Sequence, residues 1–151
     1  MFAACKVRKI AKFLLLPARA VSIRIMATTP LDDAKYISLR SYRRDGTPVD
    51  TPVWQAPLDG KLVVFTDGTS YKVKRIGRNP QVQVARCDMR GKVLGPFMDG
   101  TCEIVPLGSE LERQAYRALN HKYGLVMRLG TVFATLFGRV KRRRVLCIAL
   151  S

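Results

Sequence analysis

The sequence predicts a mainly β protein: about six short antiparallel strands closed into a small barrel, with two or more helices. Three observations carry that expectation. Apolar and polar residues alternate with a period of two from Tyr36 onward. Tight-turn pairs, Asp45-Gly46 and Asp59-Gly60, separate such runs at hairpin spacing. Helical periodicity is confined to one stretch midway and another late in the chain. Closing short hairpin-linked strands into a barrel removes the exposed edges that an open sheet would carry.

The first strand follows from Tyr36, Ser38 and Arg40 alternating with Ile37 and Leu39. Asp45-Gly46 reads as a type I′ turn, whose two central residues take positive φ. The chain returns through TPVDTPVWQA, with Val49, Thr51 and Val53 on one side. Pro48 and Pro52 have no N–H to give to a ladder, so this strand belongs at an edge. Free backbone groups beside an apolar side make such a strand a place where a ligand can lie. Asp59-Gly60 then turns the chain into the strand KLVVFT.

Gly68, Thr69 and Ser70 start a short helix that carries Lys72, Lys74, Arg75 and Arg78 and stops at Asn79-Pro80. The strand QVQVARC follows, then an Arg90-Gly91 turn and two further strands through GKVLG and GTCEIVP. Ser109-Glu110-Leu111-Glu112 has the form of a capping box, and Leu111, Ala115, Ala118 and Leu119 share one helix face. Residues Leu125 to Phe137 fit helix or strand. VLCIAL reads as a buried closing strand.

The 151 residues carry 27 Lys and Arg against 11 Asp and Glu, a formal charge of +16. Such a surplus makes nucleic acid, anionic membrane or a polyanionic small molecule conceivable partners. Its distribution argues against nucleic acid, because six cations precede Met26 and five lie between Arg139 and Arg144. No stacked-aromatic strand motif of an RNA-binding sheet accompanies them. Residues 1–25 are a basic extension without acids, either an over-extended start or a targeting or membrane-surface segment. Pro17 and the change of composition at Met26 favour the former, and residues 26–151 are read as a single domain. No run is long enough to span a bilayer without a charge. Four scattered cysteines without a Cys-x-x-Cys pair suggest reduced, mostly buried thiols in a cytoplasmic protein.

Catalytic constellations are scarce. One histidine, His121, and no Gly-x-Ser-x-Gly leave no hydrolase triad, and no zinc site can be assembled around it. Neither a Walker loop nor Gly-x-Gly-x-x-Gly is present. His121 is placed just past a helix, where it serves the surface or the helix dipole. The turn at Ser70 is the remaining candidate, because helix N-termini bind phosphate through unpaired N–H groups. Ser70 is placed to cap the helix or to contact an anion, and Lys72 could complete the contact. A solvated amphipathic helix explains the spacing equally well.

The order of Thr-Pro-Val-Trp (51–54), a strand ending VVFT, Ser-x-Lys (70–72), Asn79-Pro80 and Cys87-Asp88-x-Arg90-Gly91 resembles the pyridoxamine 5′-phosphate oxidase-like split-barrel family. It looks closest to the branch that uses the deazaflavin coenzyme F-420. The similarity runs from about Tyr36 to Val105. It implies a split β-barrel and a flavin or deazaflavin phosphate held by Thr66, Ser70 and Lys72. It also implies that the edge strand, Thr51, Pro52, Val53 and Trp54, lies along the tricyclic ring. Lys74 and Arg75 are weaker candidates, for the anionic tail of coenzyme F-420 or for water alone. The family pattern further implies a homodimer with the cofactor in the subunit cleft, and hydride transfer to a small organic substrate. The alternatives are an oxidase-like protein that binds flavin mononucleotide (FMN), or a non-enzymatic flavin or haem carrier. The late arginine-rich substrate motif of true pyridoxamine phosphate oxidases is not recognisable, and the Arg139–Arg144 cluster is not equated with it. Vitamin B6 oxidation is therefore not expected.

Overall fold

The computed structural model describes residues 29–136 and 142–151, with the stretch 127–136 described by its backbone alone. The basic extension, Cys5 and Arg139 therefore lie outside the described residues. Seven strands and two helices follow in the order β1 (Tyr36–Tyr42), β2 (Pro48–Trp54), β3 (Ala56–Leu58), β4 (Lys61–Asp67), α1 (Tyr71–Arg78), β5 (Gln81–Cys87), β6 (Met98–Ile104), α2 (Glu110–Leu136) and β7 (Arg143–Leu150).

All the strands belong to one antiparallel sheet of order β2-β1-β5-β6-β7-β4-β3. Its two terminal strands, β2 and β3, are separated in sequence by a single residue, Gln55. The chain can pass from one end of a seven-stranded sheet to the other in one step only if the sheet curls on itself. The result is the expected split barrel. β2 pairs with β1 alone, so it is the edge strand that its prolines required.

Two apolar cores follow from this curl. The inner one joins Ile37, Leu39, Val53, Leu62, Val64, Val82, Val84, Leu146 and Ile148 with Val73 and Ile76 of α1, which closes one end. Each fully buried Val, Leu or Ile is worth about 1.5–3 kcal/mol. The second lies on the outer face, where Ala115, Leu119 and Tyr123 of α2 cover Ala56, Val63, Val145 and Cys147. Gln55 fastens the seam between them. Its Nε2 donates to the Leu31 and Ala34 carbonyls, and its N–H donates to Tyr123 Oη at 3.2 Å.

Several expectations need correction. The sheet has seven strands, because the three residues of β3 form a strand of their own. GKVLG is not a strand: Val93 makes an isolated bridge to Cys87, and Asp88 Oδ1 holds the loop by accepting from the N–H groups of Arg90 and Lys92. The Asp45-Gly46 hairpin is not type I′, since of the two only Gly46 has positive φ, at 82°. Gly46 N–H bonds the Arg43 carbonyl and Arg43 N–H bonds the Thr47 carbonyl, the three-residue form with a bulge. Asp59-Gly60 does take both positive angles, 50° and 76°. His121 lies within α2, not past a helix, and the stretch from Leu125 to Leu136 is helical. Gly124 kinks that helix at φ 47° and ψ −116°, an angle that glycine tolerates because it lacks a Cβ. The capping box forms in part: Glu112 N–H donates to Ser109 Oγ at 3.2 Å, but Glu112 Oε2 accepts from Gly108 N–H at 2.6 Å rather than from Ser109 N–H.

Candidate functional site

Near the end of β4, Thr66 lies on the inner face, in line with Leu62 and Val64. The next three residues form a turn held from within. Asp67 Oδ1 accepts from both Thr69 N–H and Thr69 Oγ1, and Ser70 N–H donates to the Asp67 carbonyl at 3.1 Å. Gly68 N–H donates to the Arg142 carbonyl at 2.7 Å, docking the turn on the start of β7. A Cβ on Gly68 would stand 2.6 Å from Arg144 Cγ and 2.9 Å from the Arg142 oxygen, so only glycine fits.

The turn delivers Ser70 as the N-cap of α1. Its backbone is extended, as a cap requires, yet its side chain makes no capping hydrogen bond. Ser70 Oγ is buried and has no partner at all. A buried hydroxyl normally finds a partner, and leaving one without costs about 1–3 kcal/mol. One turn on, Lys72 is half-buried and its Nζ donates to Thr66 Oγ1 at 2.9 Å. Burial, and after it the nearby Arg75, hold the Lys72 ammonium below the ordinary lysine value. Among the described residues no carboxylate forms a direct ion pair with Lys72, although the nearby Asp67 favours its charge. Thr66, Ser70 and Lys72 thus come together as a hydroxyl, an unpaired hydroxyl and a desolvated cation, beneath the free N–H groups of a helix N-terminus. No acidic residue occupies the first turn of α1. Such a set suits a phosphate or another small oxyanion.

The other expected site residues divide. The rings of Trp54 and Phe65 meet, 6.1 Å between centroids, so the end of β2 lies near β4 without pairing with it. Val53 points into the inner core, Thr51 is half-buried, and Pro52 is exposed against Gly91. Trp54 turns to the outer face, stacked on Tyr123 at 4.9 Å and 13° and edge-on to Tyr36. Its ring packs under α2. Arg75 turns from Lys72 toward β1, where its Nε donates to Ser41 Oγ at 2.9 Å. Lys74 is exposed and lies over the Tyr71 ring at 5.4 Å.

One residue escaped the sequence reading. Arg144 pairs with Thr66 across β4 and β7, and directly opposed residues of an antiparallel pair share a face. A member of the basic cluster therefore stands at the rim of the phosphate-like site. The only signal was a register that no local pattern encodes.

No group of His, Cys, Asp or Glu among the described residues is arranged to hold a metal ion. No helix among them is long and apolar enough to cross a membrane.

Comparison with solved structures places the fold among known ones. The haem storage protein HutZ of Vibrio cholerae superposes with a TM-score of 0.61 at 13% identity, over 79% of this chain and 83% of that one. A conserved hypothetical protein of Mycobacterium tuberculosis gives 0.59 at 19% identity, over 95% and 86%. An FAD-binding protein of Mesorhizobium loti gives 0.53 at 19% identity, over 80% and 82%. At such identities the likeness shows the fold alone. No curated protein sequence matches this one at a significant level. The family model described as pyridoxamine 5′-phosphate oxidase matches residues 27–149. Because that match takes in the whole sheet, both helices and the Ser70 turn, the chain belongs to the pyridoxamine 5′-phosphate oxidase family.

Proposed function

We propose that this protein is an oxidoreductase that binds a deazaflavin of the coenzyme F-420 type by its phosphate. The alternative cofactor is FMN, with the same anchor. The observation that carries the reading is the buried Ser70 Oγ, left without a partner at a helix N-terminus beside Lys72. An anion seated there would accept from Ser70 and Lys72, relieving an unmet hydroxyl and a half-buried charge together. Thr66 holds the Lys72 ammonium in position. The edge of β2 from Thr51 to Val53 would lie along the ring system, its backbone groups free because no strand pairs with that side. The cofactor, when bound, supplies the hydride; the protein binds it, orients it and keeps water away. No acid or base is needed for those tasks, in keeping with the scarcity of catalytic side chains. Trp54 enters this reading as the support of β2, through its stack on Tyr123. Arg75 and Lys74 would meet a second charged part of the ligand, beyond the phosphate.

The two-chain arrangement expected of the family belongs to the same proposal. Met89 and Leu94 on the loop after β5 are 68% and 56% exposed, apolar surface that a second copy would cover. Sedimentation equilibrium is expected to give twice the chain mass, and a monomer at micromolar concentration would overturn the dimer.

A haem carrier is the rival, and the likeness to the Vibrio protein favours testing it. His121, the one histidine, is exposed on α2 in a cleft with Asp32, Pro57, Ala118 and Lys122, on the outer side of the sheet. Fluorescence titration of the full chain with the deazaflavin, FMN and haem tests all three. Tightest binding of the deazaflavin is expected. Tighter binding of FMN would replace the cofactor, and binding of haem alone would end the oxidoreductase reading.

A further inference from the structure

Beside the phosphate-like site, between the β1–β2 hairpin and α1, lies a cleft of about 400 Å³ lined by Arg43, Arg44, Tyr71, Arg75 and Arg78. Four of its five lining residues are arginines. Two of them are set in place by β1: Arg75 Nε donates to Ser41 Oγ at 2.9 Å, and Arg78 Nη2 donates to the Tyr42 carbonyl at 3.2 Å. The other two rise from the hairpin turn, where neither side chain bonds to a described residue. The ion pairs among the described residues join Arg40 to Asp50, Arg86 to Asp33, and Arg113 and Arg117 to Glu110, so none serves this cleft. The carboxylate of Asp45, on the same hairpin, is turned to Thr47 N–H at 2.9 Å and does not line it.

Gathering four guanidiniums is unfavourable in the free protein, because among the described residues the one carboxylate close by, Asp45, interacts with Arg43 alone and leaves an excess of positive charge. Burial comes first among the causes that lower the Arg75 pKa, and repulsion from Arg43 and Arg78 adds to it. A bound anion removes that repulsion. Guanidinium groups meet phosphate and carboxylate oxygens in pairs, and groups already fixed by hydrogen bonds lose little freedom on doing so. Tyr71, 77% exposed, offers an apolar wall.

We propose that this cleft is a second anion site, built for a small polyanion that carries two or more phosphate or carboxylate charges. A free polyanion in the cleft stands without the cofactor reading, whereas a charged extension of the ligand rests on it. The polyanion is either a free molecule or a charged extension of a ligand anchored at Lys72.

Calorimetric titration of the full chain with inorganic tripolyphosphate tests it. One tripolyphosphate per chain is expected at the cleft, counted apart from any held at the Ser70 turn by repeating the titration in Lys72→Met. The double variant Arg43→Ala/Arg44→Ala should weaken binding about tenfold or more, the loss of at least one charge-assisted contact. The control Lys61→Ala/Arg117→Ala removes the same charge from exposed positions that do not line the cleft and should change affinity by less than about twofold, as a screened surface effect. Equal losses in the two double variants would mean attraction to net charge only and would overturn the site, as would absence of saturable binding. Lys72→Met should leave tripolyphosphate bound; loss there equal to that of the arginine variant would place the anion at Ser70 and overturn the cleft. Cofactor affinity in Arg43→Ala/Arg44→Ala then separates the two sources. A loss assigns the polyanion to the ligand's own extension, and no change assigns it to a free molecule.

Discussion

Ser70 and Lys72 decide the candidate site, and each makes a prediction that a purely structural role would not. A serine that caps a helix through its side chain costs about 0.5–2 kcal/mol when changed to alanine. Ser70 makes no such bond and its hydroxyl is buried without a partner, so Ser70→Ala should keep or raise the melting temperature of the ligand-free protein while weakening anion binding. A melting temperature lowered as for a lost cap would return Ser70 to an ordinary helix start. Lys72→Met keeps the stem and removes the charge. It should weaken phosphate binding by about 1.5–3 kcal/mol, the range for hydrogen bonds to charged groups. The pH dependence has a definite sign. The folded pKa of Lys72 lies below its unfolded value, near 10.5, so the unfolded chain holds that proton more firmly. Between the two values the stability contribution of Lys72 rises with pH as its buried charge is lost. Anion affinity falls over the same interval, because the ammonium is what binds. Opposite slopes of stability and affinity in the alkaline range, both absent in Lys72→Met, are expected; parallel slopes would exclude Lys72 as the anion's partner.

At the level of the element, the β4–α1 turn is held by its own Asp67 and by β7. Gly68→Ala should cost about 1–3 kcal/mol, as overpacking against a fixed backbone does. The reason is the Arg142 carbonyl 2.9 Å from the new methyl, which cannot swing aside as the Arg144 side chain can. Because the turn aims Ser70, cofactor affinity should fall as well; wild-type melting and affinity in this variant would mean that β7 does not brace the turn. Much of this element was legible beforehand. Gly68, Ser70, Lys72 and the stop at Asn79-Pro80 announce turn, helix and end through local chemistry. The dock on β7 was not, because Arg142 lies more than seventy residues further along the chain and nothing local in either segment names the other.

For the molecule as a whole, the seam at Gln55 carries the closure of the barrel. Tyr123 Oη accepts from Gln55 N–H and lies 2.6 Å and 2.7 Å from the Gln55 and Lys35 carbonyls, joining α2 to the point where the sheet turns from β2 to β3. Tyr123→Phe should destabilise the protein by about 1–3 kcal/mol, since a buried N–H is left unpaired. Denaturant melts would measure it, and an unchanged midpoint would show that the seam holds without α2. The phenol is pushed up to about 12, chiefly by burial, so it stays protonated through the working range and the seam does not open with ordinary changes of pH. The resemblance set Trp54 along the cofactor ring, while its residue type alone suited packing at a core or an edge; its ring stacks on Tyr123. A period-two pattern tells which side of a strand faces inward, but not that α2 covers the outer side of this one.

By itself the sequence determined the mainly β class, the edge position of β2 and the turn that presents Ser70 and Lys72. Each depends on short-range physics: alternation, the missing N–H of proline, and the cap chemistry of a helix start. The tertiary structure alone decided that the sheet curls until β2 and β3 meet at Gln55, that Thr66 faces Lys72, and that Arg144 stands opposite Thr66. It likewise gathered Arg43 and Arg44 with Arg75 and Arg78 around one cleft. Strand register and barrel closure are set by how all the apolar faces pack at once, and no single segment of the chain contains that information.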